Sequence, residues 1–307
     1  MKKCRVILST LILTVVFLSG CATTNRADTR VKLLNVLPEN SDIYLYFPVK
    51  ENAFLASRIF QTFFPSISSG DREDLINRCV ALYVAVKEDK ATILVEGSFP
   101  SIGVNVALSE KNGWTKQKDS SLPGTDTYYM YKGLSYKIAF PTSSLCIISY
   151  DLHAVLTKYD LVVKNGIYDF NPLLFPPGSM ADENLKAVDF YVDDSFDLFT
   201  STFIGKLPIE LPLGKMYGRF IALQDEKNVS KSHESLYDFY GYFILPDAKV
   251  AIPTASALKL LGRTMGYNLS ITHQDTLMEI SGISISADTL AEFISSYIQF
   301  FGGRNGV

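Results

Sequence analysis

Hydrophobic residues form one long run near the start of the chain and shorter, patterned groups elsewhere. The run from Val6 to Leu18 contains no charged residue, and it follows a basic start with Lys2, Lys3 and Arg5. A basic segment followed by such an apolar segment is the arrangement of an export signal. The run has 13 residues, whereas a transmembrane helix needs about 20 apolar residues. The pattern therefore predicts that residues 1–20 are a signal peptide that is removed.

The apolar run ends in small residues and a cysteine. The stretch Leu18-Ser19-Gly20-Cys21 resembles the lipobox of bacterial lipoproteins, in which a peptidase cleaves before a cysteine that carries a diacylglyceryl group. The resemblance implies cleavage between Gly20 and Cys21, lipidation of Cys21, and palmitate-type chains as the membrane attachment. Because two acyl chains hold a protein stably on a membrane, we expect the exported chain to be bound through its N-terminus.

The residue after the cysteine bears on which membrane is occupied. In lipoprotein sorting an aspartate at this place favours the inner membrane, and here the residue is Ala22. The resemblance therefore implies an outer-membrane location, facing either the periplasm or the cell surface. Residues 21–33 begin with a polar stretch, which is predicted to form a lipidated tether to the folded body.

Beyond the tether, strand-like and helix-like patterns recur in the same order in the two halves of the chain. The segment Asn40 to Leu55 corresponds to Glu183 to Leu198, and the pair of strands in Ala81 to Phe99 corresponds to the pair in Phe220 to Leu245. Apolar β-branched and aromatic segments on both sides of a polar turn are typical of hairpins. Hairpins build antiparallel sheets. The pattern predicts an α+β fold of two similar β-α-β-β-α-β-β-α units, mostly antiparallel, with helices packed on one face.

The predicted units span residues 34–170 and 171–307, and two explanations of their likeness stay open. An internal duplication gives such a repeat, but two unrelated α+β domains can resemble each other by chance. The opening Leu37 to Ser41 before an aromatic strand is similar to that of duplicated envelope proteins of unknown function. That likeness implies no activity.

Charge argues against one class of partner. The whole chain has 29 basic and 32 acidic residues, and three of the basic residues lie in the signal. The exported chain therefore has a formal charge of −6. Proteins that bind nucleic acid present a basic face, so no nucleic-acid partner is predicted.

Motifs of known chemistry are missing from the sequence. The three histidines are His153, His233 and His273, and none has the spacing of a metal-binding pair. There is no Gly-x-Ser-x-Gly elbow for a serine nucleophile and no glycine-rich phosphate loop. We therefore predict no catalytic residue, no metal ligand, no cofactor and no enzymatic activity; an enzyme without a recognisable motif is the alternative.

Two cysteines remain in the exported body. Cys79 and Cys146 lie in apolar, strand-like segments. They are either buried thiols that act as small hydrophobic residues or a disulfide, which the exported compartment permits. The sequence leaves both possibilities open.

Large apolar residues in segments rich in proline and glycine suggest a binding surface. Such residues either fold back onto the core or form an exposed contact patch; the candidates are Phe64, Leu174, Phe175 and Leu211. An exposed patch fits a lipid-anchored, non-catalytic binding or scaffolding module with an envelope protein as its partner. The alternative from the same residues is a carrier or binder of a lipophilic ligand.

The N-terminal interpretation makes a direct prediction about mass. Intact-mass spectrometry of the matured protein should show the loss of residues 1–20 and the addition of acyl chains at Cys21. The variant Cys21→Ser should keep its signal, because only a thiol forms the thioether to diacylglycerol. An unmodified thiol on the matured wild-type chain would contradict the interpretation.

Overall fold

The computed structural model describes residues 26–63, 68–88, 90–133, 135–168, 171–174, 176, 186–194, 211–223, 236–264 and 266–302. The α-helices within these ranges are α1 (Arg26–Val36), α2 (Ala53–Phe63), α3 (Ser69–Arg78), α4 (Ser101–Ala107), α5 (Leu152–Asn165), α6 (Ala251–Thr264) and α7 (Ala287–Gly302). The strands are β1 (Ile43–Phe47), β2 (Cys79–Lys87), β3 (Lys90–Gly97), β4 (Trp114–Lys118), β5 (Thr127–Tyr131), β6 (Lys137–Thr142), β7 (Leu145–Ser149), β8 (Val188–Val192), β9 (Lys215–Ala222), β10 (Leu236–Ile244), β11 (Ser270–Gln274) and β12 (Leu277–Ser286).

All twelve strands form one antiparallel sheet. Its order is β11-β12-β10-β9-β8-β1-β2-β3-β7-β6-β5-β4. The two halves of the chain meet at the centre, where β1 pairs with β8 and Leu45 lies opposite Phe190. The predicted α+β class with antiparallel strands is confirmed.

The strand order is the same in both halves when it is followed outward from the centre. One half runs β1-β2-β3-β7-β6 and the other runs β8-β9-β10-β12-β11, while β5 and β4 extend the first half further. Because β1 and β8 are antiparallel, corresponding strands point in opposite directions. A duplicated chain would give this arrangement, and the duplication and the unit bounds 34–170 and 171–307 stay predictions.

The helices pack on both faces of the sheet, which corrects the prediction that they lie on one face. One face, the Phe face, carries Ile43, Phe47, Phe190 and Phe220 and is covered by α2, α3, α6 and α7. The other, the Tyr face, carries Tyr44, Tyr46, Tyr83 and Tyr191 and packs against α1 and α5. The central strands bear apolar residues at almost every position, and such strands need cover on both sides.

Aromatic rings fill the centre of the Phe face. The Phe190 and Phe220 rings stack with their centroids 5.5 Å apart, and Phe239 lies 5.2 Å from Phe220. Gly218 pairs with Phe190 in the ladder, and a Cβ atom on Gly218 would lie 2.0 Å from the Phe190 ring. The ring therefore occupies the space that any other residue would need.

Replacement of Gly218 by valine has two opposing effects on stability: a higher strand propensity and a clash in the core. Valine favours strands, but Gly218→Val should lower the free energy of unfolding by about 1–3 kcal/mol or more because the core is overpacked. Urea unfolding measures this. The control is Gly70→Ala in α3, where a Cβ meets nothing within 4 Å, so stability should stay equal or rise by up to about 1 kcal/mol. Equal effects of the two substitutions would contradict the packing argument.

Candidate functional site

The first helix after the tether is fastened to the Tyr face by arginines. Arg26, at the start of α1, makes a two-pronged ion pair with Glu51, in which Nη2 donates to Oε2 at 2.6 Å and Nη1 donates to Oε1. Glu51 lies in the loop between β1 and α2. This pair joins the first turn of α1 to the end of the central strand β1.

One helical turn later, Arg30 reaches the middle of the sheet. Residues four apart lie on the same side of a helix, so Arg30 follows Arg26 down onto the strands. Its Nη2 donates to Asp189 Oδ2 at 2.7 Å, and its guanidinium lies 4.5 Å from the centre of the Tyr46 ring. The helix is therefore bound to β8 by charge and to β1 by a cation–π contact.

Asp189 binds a second arginine from the neighbouring strand. Arg219 on β9 donates from Nε to Oδ1 at 2.6 Å and from Nη2 to Oδ2 at 3.2 Å. The three residues Arg30, Asp189 and Arg219, here called the arginine clamp, are 7%, 3% and 5% exposed. Burial raises the pKa of Asp189, and the two guanidinium groups act in the opposite direction.

The clamp fixes position more than it adds net stability. A buried ion pair loses about as much in desolvation as it gains in attraction, yet removal of one partner costs several kcal/mol. A helix bound in this way has one position on the sheet, because a shift of α1 would leave the Asp189 carboxylate and the Arg30 guanidinium buried apart from each other.

The second half of α1 is held by apolar packing and one side-chain amide. Leu33, Leu34 and Val36 are buried against the Tyr face, and Asn171 Nδ2 donates to the Leu34 carbonyl at 2.7 Å. The sequence predicts a tether through residue 33, and the structure corrects this prediction. Residues from Arg26 onward are helical and docked, because their arginines and leucines bind the sheet.

The docked helix defines two ends of the sheet. The end beside Glu51, here called the tether end, is where β1, β3 and β9 finish and where β8 and β10 begin. The opposite end is called the distal end. Cys21 is five residues before Arg26, and five extended residues span at most about 18 Å. A lipid on Cys21 must therefore lie within about 18 Å of the start of α1.

Four large apolar side chains are exposed at the tether end. Leu223 and Leu236, which join β9 to β10 through a backbone hydrogen bond of 2.9 Å, are 47% and 42% exposed. Phe54 begins α2 just after Glu51 and is 45% exposed, and Ile102 begins α4 just after β3 and is 71% exposed. These four residues are called the apolar rim.

A small cleft lies beside the arginine clamp. A cleft of about 10 Å³, lined by residues that include Asp189, Arg219 and Tyr217, holds about one water molecule. Among residues that the structure describes, no three His, Cys, Asp or Glu side chains are placed to hold a metal ion. No helix in these ranges is long and apolar enough to cross a membrane.

The predicted apolar contact patch is not formed by its described members. Leu211 is 8% exposed in the core of the Phe face, and Leu174 packs half-buried against the core of the Tyr face. Phe64 and Phe175 lie outside the described residues, as do Gly20 and Cys21. The prediction was wrong for Leu211 because this loop residue folds back onto the core, which was the competing interpretation.

The possible disulfide is also corrected. Cys79 and Cys146 are buried free thiols. They lie on β2 and β7, which pair with opposite sides of β3; strands separated by one other are about 9–10 Å apart, and a disulfide needs Cα atoms within about 7 Å. Burial raises the pKa of the Cys79 thiol to about 12 and also raises that of Cys146, so both behave as small hydrophobic residues.

Sequence reasoning missed both the arginine clamp and the apolar rim. The spacing of Arg26 and Arg30 indicates one helix side, but it does not show that this side is buried. The carboxylate that binds Arg30 is Asp189 on β8, 159 residues away along the chain. The rim residues are each ordinary in the sequence, and only the sheet order places them at one end.

The fold and the N-terminal clamp define a class: an α+β protein built on one antiparallel sheet, whose first described helix is part of its core. The chain belongs to the family of outer membrane-associated lipoproteins described as TP0453, whose family model matches residues 28–291. The predictions of a bacterial lipoprotein and of an outer-membrane location are confirmed.

Known relatives have the same overall size and fold. The chain is 24% identical over 265 residues to the outer membrane protein TP0453 of Treponema pallidum (strain Nichols), which covers 86% of this chain and 85% of that protein. Crystal form III of TP0453 matches with a TM-score of 0.60 at 23% identity, covering 86% of this chain and 97% of that one. Crystal form I matches with a TM-score of 0.57 at 21% identity, covering 86% and 96%.

The clamp can be tested through its carboxylate. Asp189→Asn should lower the free energy of unfolding by about 3–5 kcal/mol, because two guanidinium groups stay buried without their anion. Urea unfolding again gives the value. Asp28→Asn makes the same chemical change in the surface pair with Lys32 and should cost less than about 1 kcal/mol. A loss at Asp189 no greater than that at Asp28 would show that the clamp does not hold α1.

Proposed function

We propose that this protein is a non-catalytic, lipid-anchored binding module that rests its tether end on the outer membrane and holds an envelope partner with the rest of its body. The observation that carries the proposal is the apolar rim, which lies at the same end of the sheet as the start of α1. The membrane-resting surface and the attachment point of the lipid therefore coincide.

The rim is wide enough to fix the orientation of the body. Its residues extend from the β9–β10 end to the start of α4 after β3, across six neighbouring strands. With about 4.8 Å between strands, the rim spans about 24 Å. A surface contact of that width prevents the body from tilting freely on its tether.

The chemistry of the rim suits a lipid interface. Burial of a leucine, isoleucine or phenylalanine side chain away from water contributes about 1.5–3 kcal/mol. Lys50 and Lys186 are exposed at the same end, where ammonium groups can reach lipid phosphates while apolar neighbours enter the leaflet. Rim burial would add to the attachment that the acyl chains supply.

Two observations support a binding role without catalysis. No motif of a known reaction occurs in the sequence, and the cleft beside Asp189 has room for only about one water molecule. The alternative of a lipophilic-ligand carrier finds no support in that cleft. The partner is proposed to be an envelope protein because the lipid holds the body at the envelope.

The rim is tested by binding of the exported chain to phosphatidylglycerol-containing vesicles. The protein would carry Cys21→Ser and lack residues 1–20, so that any binding comes from the body. Ile102→Asp should weaken vesicle binding about tenfold, since about 1.4 kcal/mol corresponds to a factor of ten and the lost burial exceeds that value. Vesicle flotation gives the bound fraction.

Ile252→Asp is the matched control. Ile252 is the second residue of α6 as Ile102 is the second residue of α4, and it is 66% exposed. It lies at the distal end, because α6 follows the end of β10. Its replacement should change vesicle binding by less than about twofold. Equal losses from both substitutions, or a larger loss from Ile252→Asp, would refute the proposed orientation.

A further inference from the structure

We infer that the outer edge of β11 is the docking site for the proposed envelope partner, which adds an extended acidic segment to the sheet as a further strand. The inference rests on the proposed function for the existence of a partner. It adds where that partner binds and what chemistry its binding segment has.

The strand β11 ends the sheet. It pairs with β12 on one side, from Ser270 opposite Ser281 to Gln274 opposite Leu277, and it has no other strand beside it in the described sheet. An edge strand presents backbone N–H and C=O groups that another extended chain can pair with. Strand addition of this kind is a common mode of peptide recognition.

The two edges of the sheet differ in their protection. The opposite edge strand, β4, carries the exposed residues Lys116 and Lys118, and lysines at an edge oppose the pairing of further strands. The sequence of β11, Ser-Ile-Thr-His-Gln, contains no lysine, proline or carboxylate. Only Ile271 in this strand is buried, and the other four residues are exposed. Of the two edges in the described sheet, the one at β11 is therefore the less protected against strand addition.

Basic residues flank this edge on the Phe face. Helix α6 packs on β11 and β12 there, with Ala251, Thr254, Ala255, Leu258 and Gly262 as its buried side. Lys259 and Arg263 are four residues apart and exposed. At 3.6 residues per turn they lie about a quarter turn from the buried side. The side opposite to them carries Ala257 and Leu261, which pack against the core, so the two basic residues are turned away from the centre of the sheet.

The charge of the flank selects the partner segment. In an added strand, alternate side chains would lie on the Phe face, next to Lys259, Arg263 and His273. Acidic side chains at these positions would pair with the basic flank. The other side chains would lie beside Ser270, Thr272 and Gln274, which are uncharged.

A second copy of this chain fits the edge less well. If β11 paired antiparallel with β11 of another copy, about a two-fold axis perpendicular to the sheet, both α6 helices would lie on the same face beside the axis. Each would then turn Lys259 and Arg263 toward the other, and like charges repel. The observations favour an acidic partner over self-association.

The test uses two synthetic seven-residue peptides, one alternating threonine with glutamate and one alternating threonine with lysine. Binding to the exported chain is measured by fluorescence anisotropy in the absence of vesicles, and hydrogen exchange locates the contact. We expect the glutamate peptide to bind at least about fivefold more tightly than the lysine peptide, from two exposed ion pairs, and to protect β11 amides.

Charge reversal should invert the preference. The double variant Lys259→Glu with Arg263→Glu should bind the lysine peptide about fivefold more tightly than the glutamate peptide. The matched control, Lys116→Glu with Lys118→Glu at the other edge, should keep the wild-type preference. A thermal unfolding curve like that of the wild type establishes that each variant is folded.

A third peptide separates strand addition from simple charge attraction. This glutamate peptide is N-methylated at alternate residues, on the edge that would pair with β11. It should not bind, because the N–H groups that would donate to β11 are lost. The inference is overturned if neither peptide binds, if the peptide methylated on its pairing side still binds, or if the protected amides lie outside β11. Since this assay contains no membrane, its outcome is independent of the vesicle test of the rim.

Discussion

The shared carboxylate of Asp189 is the constraint on which the rest of the account depends. It lies on the central strand β8 and binds Arg219 from β9 and Arg30 from α1. Because α1 begins five residues after Cys21, this buried contact limits how far the predicted lipid attachment point can lie from the sheet. An exported chain with a flexible arm would let its body take any orientation, whereas the clamp makes the first helix part of the core.

Because all described strands belong to one sheet, the position of α1 is fixed relative to both halves of the chain. Since β1 pairs with β8, a helix docked at the centre of the Tyr face is rigidly related to both halves. On the Phe face, Arg58 of α2 pairs with Asp288 of α7 at 2.9 Å and joins the first half to the last helix. The tether end and the edge at β11 therefore keep fixed positions relative to α1 and to each other.

Local patterns were enough to predict the strands, the hairpins and the α+β class. Segments such as Ala81–Lys87 and Leu236–Ile244 carry β-branched and aromatic residues beside polar turns, and both are strands. The apolar residues on both sides of β1 indicate cover on both faces, but they do not show which helices supply it. The cover on each side comes from distant segments.

Long-range pairing also explains why some predictions from the sequence were wrong and why the arginine clamp and the apolar rim were missed. Arg30 lies in a polar stretch that looks like a tether, and its burial depends on Asp189 and Arg219. The sequence alone allows a disulfide between Cys79 and Cys146, but β3 lies between their strands. Leu211 lies in a proline-rich segment and is nevertheless buried, whereas Ile102 starts a regular helix and is exposed. Burial at these positions follows from the strand order, which a single sequence does not reveal.

Native-state hydrogen exchange of the exported chain tests the central claim most directly. If the clamp makes α1 part of the core, the amides of Leu33 and Leu34 should exchange only through global unfolding, with the same free energy as the amide of Tyr191 in β8. Exchange of the α1 amides through a separate opening, at a free energy well below that of β8, would contradict the account.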